Sequence, residues 1–382
     1  MPVIHRDVLV VGGGPAGSVT AHHLAVAGHS VLLADKATFP RDKPCGGGVT
    51  MRAARVCPVD LTPVVEDRID AFELRHRFGR PVTRPMRGPV ILMTQRARLD
   101  AFLLDAAREA GVDVREGATV SLGESIRIDG EPVSVDAVVG ADGANGSSAR
   151  ALGLGGSIRH GVAYEGNVAL DAAGMERYRG RALIELGSVP GGYGWVFPKA
   201  DHVNVGVGAW EDQGPRMKEH LRAVCAGYGI DPGSVTQARG HRLPLRRAGT
   251  VVAGGRALLV GDAAGLIDPV SGDGMYECFI SAELAARAVS DLLAGREATL
   301  LPYAAALDRR LGQFHAYSWA IKNALDRWPA VSWPAARSRL VWRTVEKLLT
   351  GEIAHPGEQG GAGRIPMRTL TLLGRPTERP PV

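Results

Sequence analysis

Cysteine is scarce in this 382-residue chain, and the placement of the few cysteines excludes two structural classes. The chain has four of them, Cys45, Cys57, Cys225 and Cys278, and no two form a C-x-x-C pair. Thiols scattered in this way neither build a disulfide framework nor supply the ligand spacing of a zinc site. We therefore expect no metal site and a reducing, cytoplasmic environment.

The sequence also lacks the features of membrane-spanning and nucleic-acid-binding proteins. No uncharged apolar run reaches the ~20 residues that a spanning helix needs, and residues 1–7 do not have the shape of a signal peptide. Zinc-finger, helix-turn-helix and aromatic-and-basic RNA motifs are missing, and the net charge of +5 is small. We expect no nucleic-acid partner. Because hydrophobic residues make up 45% of the chain, it can bury the cores of two domains.

A strand, a glycine-rich turn, a helix and a second strand are predicted at the start of the chain. The apolar run 7–11 leads into the turn, which reads Gly12-Gly-Gly14-Pro15-Ala16-Gly17. In such a unit the first glycine permits the tight turn, the second lets the backbone approach a pyrophosphate, and the third lets helix and strand pack. The second apolar run, 30–34, ends at Asp35, where a carboxylate can accept hydrogen bonds from ribose hydroxyls. The pattern predicts a dinucleotide site with its phosphates at the helix N-terminus.

A second glycine-rich piece lies far downstream and indicates FAD rather than NAD. The apolar run 256–260 ends at Gly261-Asp262, and Gly272 and Gly274 precede a helix predicted at 276–293. An aspartate at a strand end can bond the ribityl chain, while a glycine-rich helix start directs N–H groups at the flavin. Since a nicotinamide-binding Rossmann domain needs no such piece, the cofactor is predicted to be FAD.

Two shorter motifs lie between these pieces. A third apolar run, 136–141, ends at Asp142-Gly143. Arg96 begins a segment that leads into a helix predicted at 101–110. The arginine either reaches the phosphates or the flavin of the cofactor or is an exposed residue at a helix start, and its residue type alone leaves both interpretations open.

Aromatic residues are only 5% of the chain, yet three of them recur at every second position between two prolines, as Tyr193, Trp195 and Phe197. On an extended strand this period places the three rings on one face of a sheet. Such a stripe is either the wall of a site for an apolar ligand or ordinary core packing. Alternating, turn-broken stretches around it predict half-buried antiparallel strands.

In these motifs and their order, the chain resembles the geranylgeranyl reductase family, within the flavoprotein group that includes p-hydroxybenzoate hydroxylase. The resemblance covers roughly residues 7–295, and its most specific parts are the loop 45–48, Cys-Gly-Gly-Gly, and the aromatic stretch 190–198. It implies an α/β fold with a glutathione-reductase-like Rossmann FAD-binding domain, an antiparallel-sheet substrate domain and a helical C-terminus.

The motifs and the resemblance together predict the site residues. Substrate contacts are expected at Tyr193, Trp195 and Phe197, and Cys45 is the first candidate for a proton donor, although a buried structural cysteine is the alternative. Two departures from the family pattern are Gly146, where relatives often have serine, and Met275, where isoleucine is commoner. Cofactor contacts are expected at Gly12, Gly14, Pro15, Ala16, Gly17, Asp35, Lys36, Cys45, Gly46, Arg96, Val120, Asp142, Asp262, Gly272, Gly274 and Met275.

The domain organisation is predicted to be discontinuous. Four of the six tryptophans lie between residues 319 and 342, and arginines and a lysine interleave with apolar residues over 337–348. A basic amphipathic helix of this kind either rests on an anionic membrane surface or packs on the domain with its basic face in water. The predicted regions are an FAD-binding domain (1–70, 95–155 and 250–310), a substrate-binding sheet domain (71–94 and 156–249), a C-terminal helical region (311–354) and an irregular tail (355–382).

The implied activity is reduction of carbon–carbon double bonds in a hydrophobic isoprenoid of the geranylgeranyl type or a related polyene. No second G-x-G-x-x-G follows a strand, so we expect NADPH or a ferredoxin-like electron donor to dock transiently. The alternative is an aromatic hydroxylase or a halogenase, which uses the same fold to activate oxygen. Only Trp195 approximates the W-x-W-x-I-P stretch of halogenases, and Lys43 is a poor substitute for their dedicated lysine.

Overall fold

The computed structural model describes residues 4–374. Its strands are β1 (Ile4–Val11), β2 (Val31–Asp35), β3 (Gly48–Thr50), β4 (Asp67–Ile69), β5 (Ala71–His76), β6 (Val82–Pro85), β7 (Ile91–Met93), β8 (Asp113–Glu116), β9 (Val120–Leu122), β10 (Ile126–Ile128), β11 (Glu131–Gly140), β12 (Ile158–Ala169), β13 (Arg181–Leu186), β14 (Tyr193–Pro198), β15 (His202–Trp210), β16 (Thr236–Arg246), β17 (Ala253–Gly254) and β18 (Ala257–Leu259). Its helices are α1 (Pro15–Val26), α2 (Met51–Ala54), α3 (Arg96–Glu109), α4 (Ser148–Ala151), α5 (Ala172–Glu176), α6 (Met217–Gly227), α7 (Met275–Leu293), α8 (Leu301–Arg327), α9 (Ser332–Arg337), α10 (Arg339–Thr350) and α11 (Arg364–Leu373).

The first sheet has the strand order β17-β18-β11-β1-β2-β8, with β9 and β10 attached beside β11. Strands β1, β2, β8, β11 and β18 pair in parallel. The apolar run of β2 is buried throughout, as expected for a strand covered on both faces. Helices α1, α3, α7 and α8 contribute to the core on one face, while β9 and β10 cover the other. Helix α1 begins at Pro15, inside the predicted glycine-rich turn, because proline fits the first helical position.

The second sheet has the order β16-β12-β15-β14-β13-β5-β6. It is antiparallel except for the parallel pair β5–β13. On one face, Val196, Val205 and Val207 pack against α6. The opposite face carries Trp195 and Phe197 and looks toward the first sheet's loops. Together with the helical C-terminal region, the two sheets confirm the predicted fold class.

The C-terminal helices cover the outer part of the second sheet. Trp333 of α9 stacks on His76, and Trp342 of α10 packs on Phe72, with ring centroids 5.4 and 4.8 Å apart. Arg339 of α10 is exposed to solvent. These two tryptophans therefore pack on the domain, as the second of the two interpretations of this segment expects. Among the helices of residues 4–374, none combines the length and apolarity needed to cross a bilayer.

The prediction of an irregular tail is wrong for part of its length. Helix α11 forms within it, because Met367 and Leu370, one turn apart, bury their side chains against Ile321 of α8. The glycines and prolines of this segment obscured that short apolar spacing. Residues 375–382 of the same predicted tail lie outside the described residues.

Candidate functional site

The turn between β1 and α1 admits only glycine at two positions. Gly12 has φ +110°, and a Cβ there would lie 2.5 Å from the carbonyl oxygen of Ala141. A Cβ at Gly17 would overlap the carbonyl oxygen of Gly12. Gly14 is the N-cap of α1, Pro15 and Ala16 begin the helix, and its first turn holds no acidic residue. The backbone thus presents a helix N-terminus suited to an anion.

Asp35 lies beside this turn, at the end of β2. Its Oδ2 accepts the Gly13 N–H at 2.7 Å and its Oδ1 accepts the Ala37 N–H at 2.8 Å. Each carboxylate oxygen retains a second lone pair for a ribose hydroxyl. Lys36 follows it and is exposed, and Val120 packs among the core residues at this edge of the first sheet. Glycine turn, helix N-terminus and carboxylate together fit the adenosine diphosphate half of FAD.

Asp262 marks the other half of the predicted cofactor site. It follows β18, and its Oδ2 lies 3.3 Å from Lys43 Nζ and 3.8 Å from His241 Nε2. Burial raises the pKa of this carboxyl, but Lys43, His241 and Arg96 outweigh burial and hold it well below its ordinary value. A Cβ at Gly274 would lie 3.5 Å from Asp262 Oδ1, so the start of α7, where Met275 follows, adjoins this charge.

Arg96 is buried, which decides against its interpretation as an exposed helix-start residue. Its Nε and Nη2 donate to the two oxygens of Asp100 at 2.6 and 2.7 Å, and Arg41 Nη1 lies 3.2 Å from the same carboxylate. Arg96 lines one pocket together with Cys45. Its side chain is therefore held in place by Asp100 at the position where the resemblance expects a cofactor contact.

Asp142 has a local structural role in this conformation. Its carboxylate accepts the N–H groups of Ser147 and Ser148 at 2.7 and 2.9 Å and the hydroxyl of Ser148. A Cβ at Gly146 would overlap the Asp142 carboxyl group. The departure from serine at this position therefore has a steric reason, which the sequence alone did not reveal.

The loop of Cys45, Gly46 and Gly47, called here the Cys45 loop, packs against the second sheet. The rings of Tyr193, Trp195 and Phe197, called here the aromatic wall, follow one another with centroids 5.9 and 6.0 Å apart. A Cβ at Gly46 would lie 3.0 Å from Phe197 Cδ2 and 3.5 Å from Trp195 Nε1. The Tyr193 hydroxyl donates to the carbonyl of Ser271, next to Gly272. The wall therefore contacts both glycine-rich loops.

Three buried polar residues of this site were not among the predicted ones: Glu165, Lys199 and Asn204. Lys199 Nζ donates to the carbonyls of Gly46 and Thr94 at 2.5 and 2.9 Å. Burial lowers the pKa of this lysine to about 8, although Cys45, Glu66 and Glu165 favour the charged form. Burial likewise raises the pKa of Glu165. No sequence signal marked these residues, because Glu165 and Asn204 reach the face that carries the wall only through the register of β12 and β15.

The fold and this arrangement define an FAD-dependent oxidoreductase, and comparison with known proteins agrees. The sequence profile described as an FAD binding domain matches residues 5–303. A chloroplastic geranylgeranyl diphosphate reductase of Oryza sativa subsp. japonica is 31% identical, over 84% of this chain and 73% of that protein. A menaquinone reductase of Mycolicibacterium smegmatis is 30% identical, over 97% of each chain.

Solved structures share the fold at lower identity. A geranylgeranyl bacteriochlorophyll reductase-like protein from Thermoplasma acidophilum has a TM-score of 0.76 at 22% identity, over 97% of this chain and 100% of that one. A flavin-dependent brominase has a TM-score of 0.72 at 18% identity, over 96% and 98%. From the profile and the relatives, the chain belongs to the FAD binding domain family and, within it, to the geranylgeranyl reductase family.

Proposed function

We propose that the protein reduces carbon–carbon double bonds of an isoprenoid of the geranylgeranyl type or a related polyene. The observation that carries this proposal is the aromatic wall, which contacts the Cys45 loop at Gly46 and the second glycine-rich loop at Ser271. Flat apolar rings between two loops suited to a flavin favour an apolar substrate whose planar alkene units pack against the rings. Relatives named as reductases of geranylgeranyl diphosphate and of menaquinone support the same class of reaction.

FAD supplies the hydride when it is bound and reduced. The residues of the chain bind, orient and protonate the alkene. Trp195, only 6% exposed, and the half-buried Tyr193 and Phe197 exclude water from one side of the site. Cys45 is the proposed proton donor to the second alkene carbon, because its loop faces the wall. The Gly47 N–H donates to Cys45 Sγ at an N···S distance of 3.4 Å, which stabilises the thiolate that remains after the proton is released.

The same proposal includes an electron donor that docks transiently, either NADPH or a ferredoxin-like protein. It also includes contact of the exposed arginines of α10 with an anionic membrane surface, from which a hydrophobic substrate would be taken. Arg339 and Arg343 support this contact because both side chains reach solvent.

A hydroxylase or halogenase is the second candidate function, and the brominase fold neighbour is compatible with it. A halogenase would need a free amine in the site. Lys199 is a buried amine there, but its Nζ donates to the carbonyls of Gly46 and Thr94. These bonds favour a lysine that holds the Cys45 loop rather than one that reacts.

One anaerobic experiment separates the candidates. The purified holoprotein is reduced under argon, and geranylgeranyl diphosphate or a longer polyprenyl compound is added while the flavin absorbance is followed. We expect reoxidation of the flavin by the alkene, with the saturated product detected by mass spectrometry. Reoxidation by oxygen alone, faster with an aromatic ligand, would contradict the proposal and favour the hydroxylase.

A matched pair of variants links that reaction to the wall. Trp195→Leu is expected to slow reoxidation by the alkene at least about 10-fold, because the largest ring of the wall is lost. Trp210→Leu is the control, since Trp210 lies in the same sheet but stacks on Trp319, with centroids 6.1 Å apart. Equal rates in the two variants would contradict a substrate role for the wall.

A further inference from the structure

Three hydrogen bonds connect the Cys45 loop to the aromatic wall through buried side chains. The Cys45 N–H donates to Glu165 Oε1 at 2.9 Å, and Glu165 Oε2 accepts the side-chain amide of Asn204. Asn204 Oδ1 in turn accepts the indole N–H of Trp195 at 2.8 Å. Glu165, Asn204 and Trp195 are 7%, 3% and 6% exposed, and the two bonds made by Asn204 are buried, which strengthens them.

Hydrogen-bonding capacity decides how this relay must be oriented. Its two ends, a backbone N–H and an indole N–H, can only donate. An ionised carboxylate can only accept, so Glu165 serves Cys45 with one oxygen and must receive the NH₂ of Asn204 with the other. The oxygen of Asn204 is then left for Trp195. Asn167 Oδ1 accepts a further bond from the same NH₂ at 3.0 Å, which agrees with this orientation.

The sheet register makes the relay short. Gly206 of β15 is paired with Glu165 of β12 on one side and with Trp195 of β14 on the other. The indole lies flat across β15, because a Cβ at Gly206 would overlap its Cζ2 and would lie 2.8 Å from Glu165 Cβ. The glycine thus lets Trp195 and Glu165 meet the same asparagine.

The other end of the Cys45 loop is held by the same sheet. Lys199 follows β14 and bonds the Gly46 carbonyl, and Gly47 has φ +74°, which favours glycine. Glu165 at the Cys45 N–H and Lys199 at the Gly46 carbonyl therefore hold one peptide pair against the wall.

We propose that Glu165 is a positioning residue that couples the orientation of Trp195 to the position of the Cys45 loop. With asparagine at position 204, a carboxylate is required at position 165, because that side chain must accept a hydrogen bond from each of its two neighbours. In catalysis, this coupling would keep a substrate on the wall aligned with the Cys45 thiol. That consequence rests on the proposed function. The relay itself does not.

Swapping the carboxylate and the amide tests this coupling. In Glu165→Gln the new amide accepts from Cys45 but turns its NH₂ toward the NH₂ of Asn204, so one link must break. In Asn204→Asp two carboxylates face each other. The double variant E165Q/N204D restores the three links, because Cys45 donates to Gln, Gln donates to Asp, and Trp195 donates to Asp. Asn167, which accepts from Asn204 in the wild type, then turns its amide to donate to the new carboxylate, and its exposed partner Gln237 turns with it.

The readout is taken on oxidised holoprotein without substrate. The alkylation rate of Cys45 is measured peptide by peptide, and the Trp195 indole N–H is followed by NMR with W195F for assignment. Each single variant is expected to raise the alkylation rate at least about fivefold, since the loop opens more often, and to shift the indole signal. The double variant should return both within about twofold of the wild type.

The outcomes separate the relay from general packing. A double variant no closer to the wild type than the worse single variant overturns the proposal, as does a double variant that fails to fold. If E165Q alone does not fold, a folded double variant with wild-type alkylation supports the relay. A restored relay in a protein that reduces no alkene would contradict the proposed function and leave the relay standing.

In the alkene assay, E165Q is expected to lower kcat about 10-fold with flavin content unchanged, whereas a purely structural loss would lower flavin content as well. The double variant should recover most of that kcat. No recovery of kcat, with the alkylation rate recovered, would contradict the role of the relay in positioning.

Discussion

The cofactor half and the substrate half of this site depend on different kinds of contact. On the cofactor side, Gly12 and Gly17 lie five positions apart, and each is forced by contact with backbone. On the substrate side, Glu165, Trp195 and Asn204 come from three strands and meet only through sheet register. The first half is encoded within a short segment of sequence. The second depends on distant segments being aligned, one residue at a time.

This difference has an energetic consequence. A backbone atom that blocks a new Cβ cannot move without disturbing a strand or helix, whereas a side chain can turn away at moderate cost. The cofactor half should therefore respond to substitution by losing FAD and stability together. The substrate half should lose substrate binding while it retains FAD.

The largest effect is expected from Gly17→Ala, which would break the cofactor half. Its Cβ would overlap the Gly12 carbonyl oxygen, and we expect a loss of about 3 kcal/mol or more in the free energy of unfolding. Bound flavin per protein should fall at least about 10-fold, as measured by absorbance. Gly28→Ala is the control: its φ is +90° but nothing lies within 4 Å of the new Cβ. It should cost only about 1 kcal/mol and keep its flavin, and equal flavin loss in both variants would contradict the comparison.

Gly206→Ala tests the substrate half of the site. The new Cβ would displace the Trp195 indole, so we expect a KM for the alkene about 10-fold higher, an unfolding free energy lower by about 1–3 kcal/mol, and normal flavin content. The control is Gly208→Ala, whose Cβ would lie 3.6 Å from Trp195 Cζ3. That spacing is ordinary contact, so its KM should stay near the wild-type value. Steady-state kinetics measure the two KM values. An unchanged KM in Gly206→Ala would contradict a substrate role for the wall.

Lys199 lies where the two halves meet. Because it is buried, it should make the free energy of unfolding depend on pH. Its pKa is about 8, below its ordinary value of 10.5, so between these values the unfolded chain binds more protons than the folded chain. The contribution of Lys199 to the free energy of unfolding therefore rises with pH in that window. The free energy of unfolding of the wild type minus that of Lys199→Met should rise by about 2 kcal/mol between pH 8 and pH 10, as measured by denaturant titration. Lys218→Met, at an exposed position on α6, is the control, and its free energy of unfolding relative to the wild type should not change over the same pH range. A flat difference for Lys199→Met would mean that its ammonium is not desolvated.

The smallest effects are expected outside both halves, at α10. Replacing the exposed Arg339 and Arg343 by glutamine should change the free energy of unfolding by less than about 0.5 kcal/mol. Binding to vesicles with anionic lipid should weaken by about 1 kcal/mol per arginine, measured by co-sedimentation. Arg222→Gln, at an exposed position on α6, is the control. Unchanged vesicle binding in the double replacement would contradict membrane contact through this helix.

The features that could be predicted from sequence are those in which the required residue type and the local backbone geometry go together. The turn from Gly12 to Gly17, the carboxylate of Asp35 and the helix near 276–293 could be predicted because each needs a particular residue at a fixed spacing from its neighbours. Burial of Arg96 was left open, since its partner Asp100 lies one helical turn away but its environment comes from other segments. Glu165, Lys199 and Asn204 were missed, because a polar residue on a strand carries no sign of which face or partner it will meet.

The amino-acid sequence by itself determined the class of cofactor and the alignment of three aromatic rings on one face of a strand, because glycine turns, strand-end carboxylates and a period of two are properties of neighbouring residues. Only the tertiary structure decided that the wall contacts both loops and that Glu165 and Lys199 hold the Cys45 loop. Contacts of this kind depend on the relative register of strands far apart in the chain. That register follows from the summed packing of two sheets, which no single segment encodes.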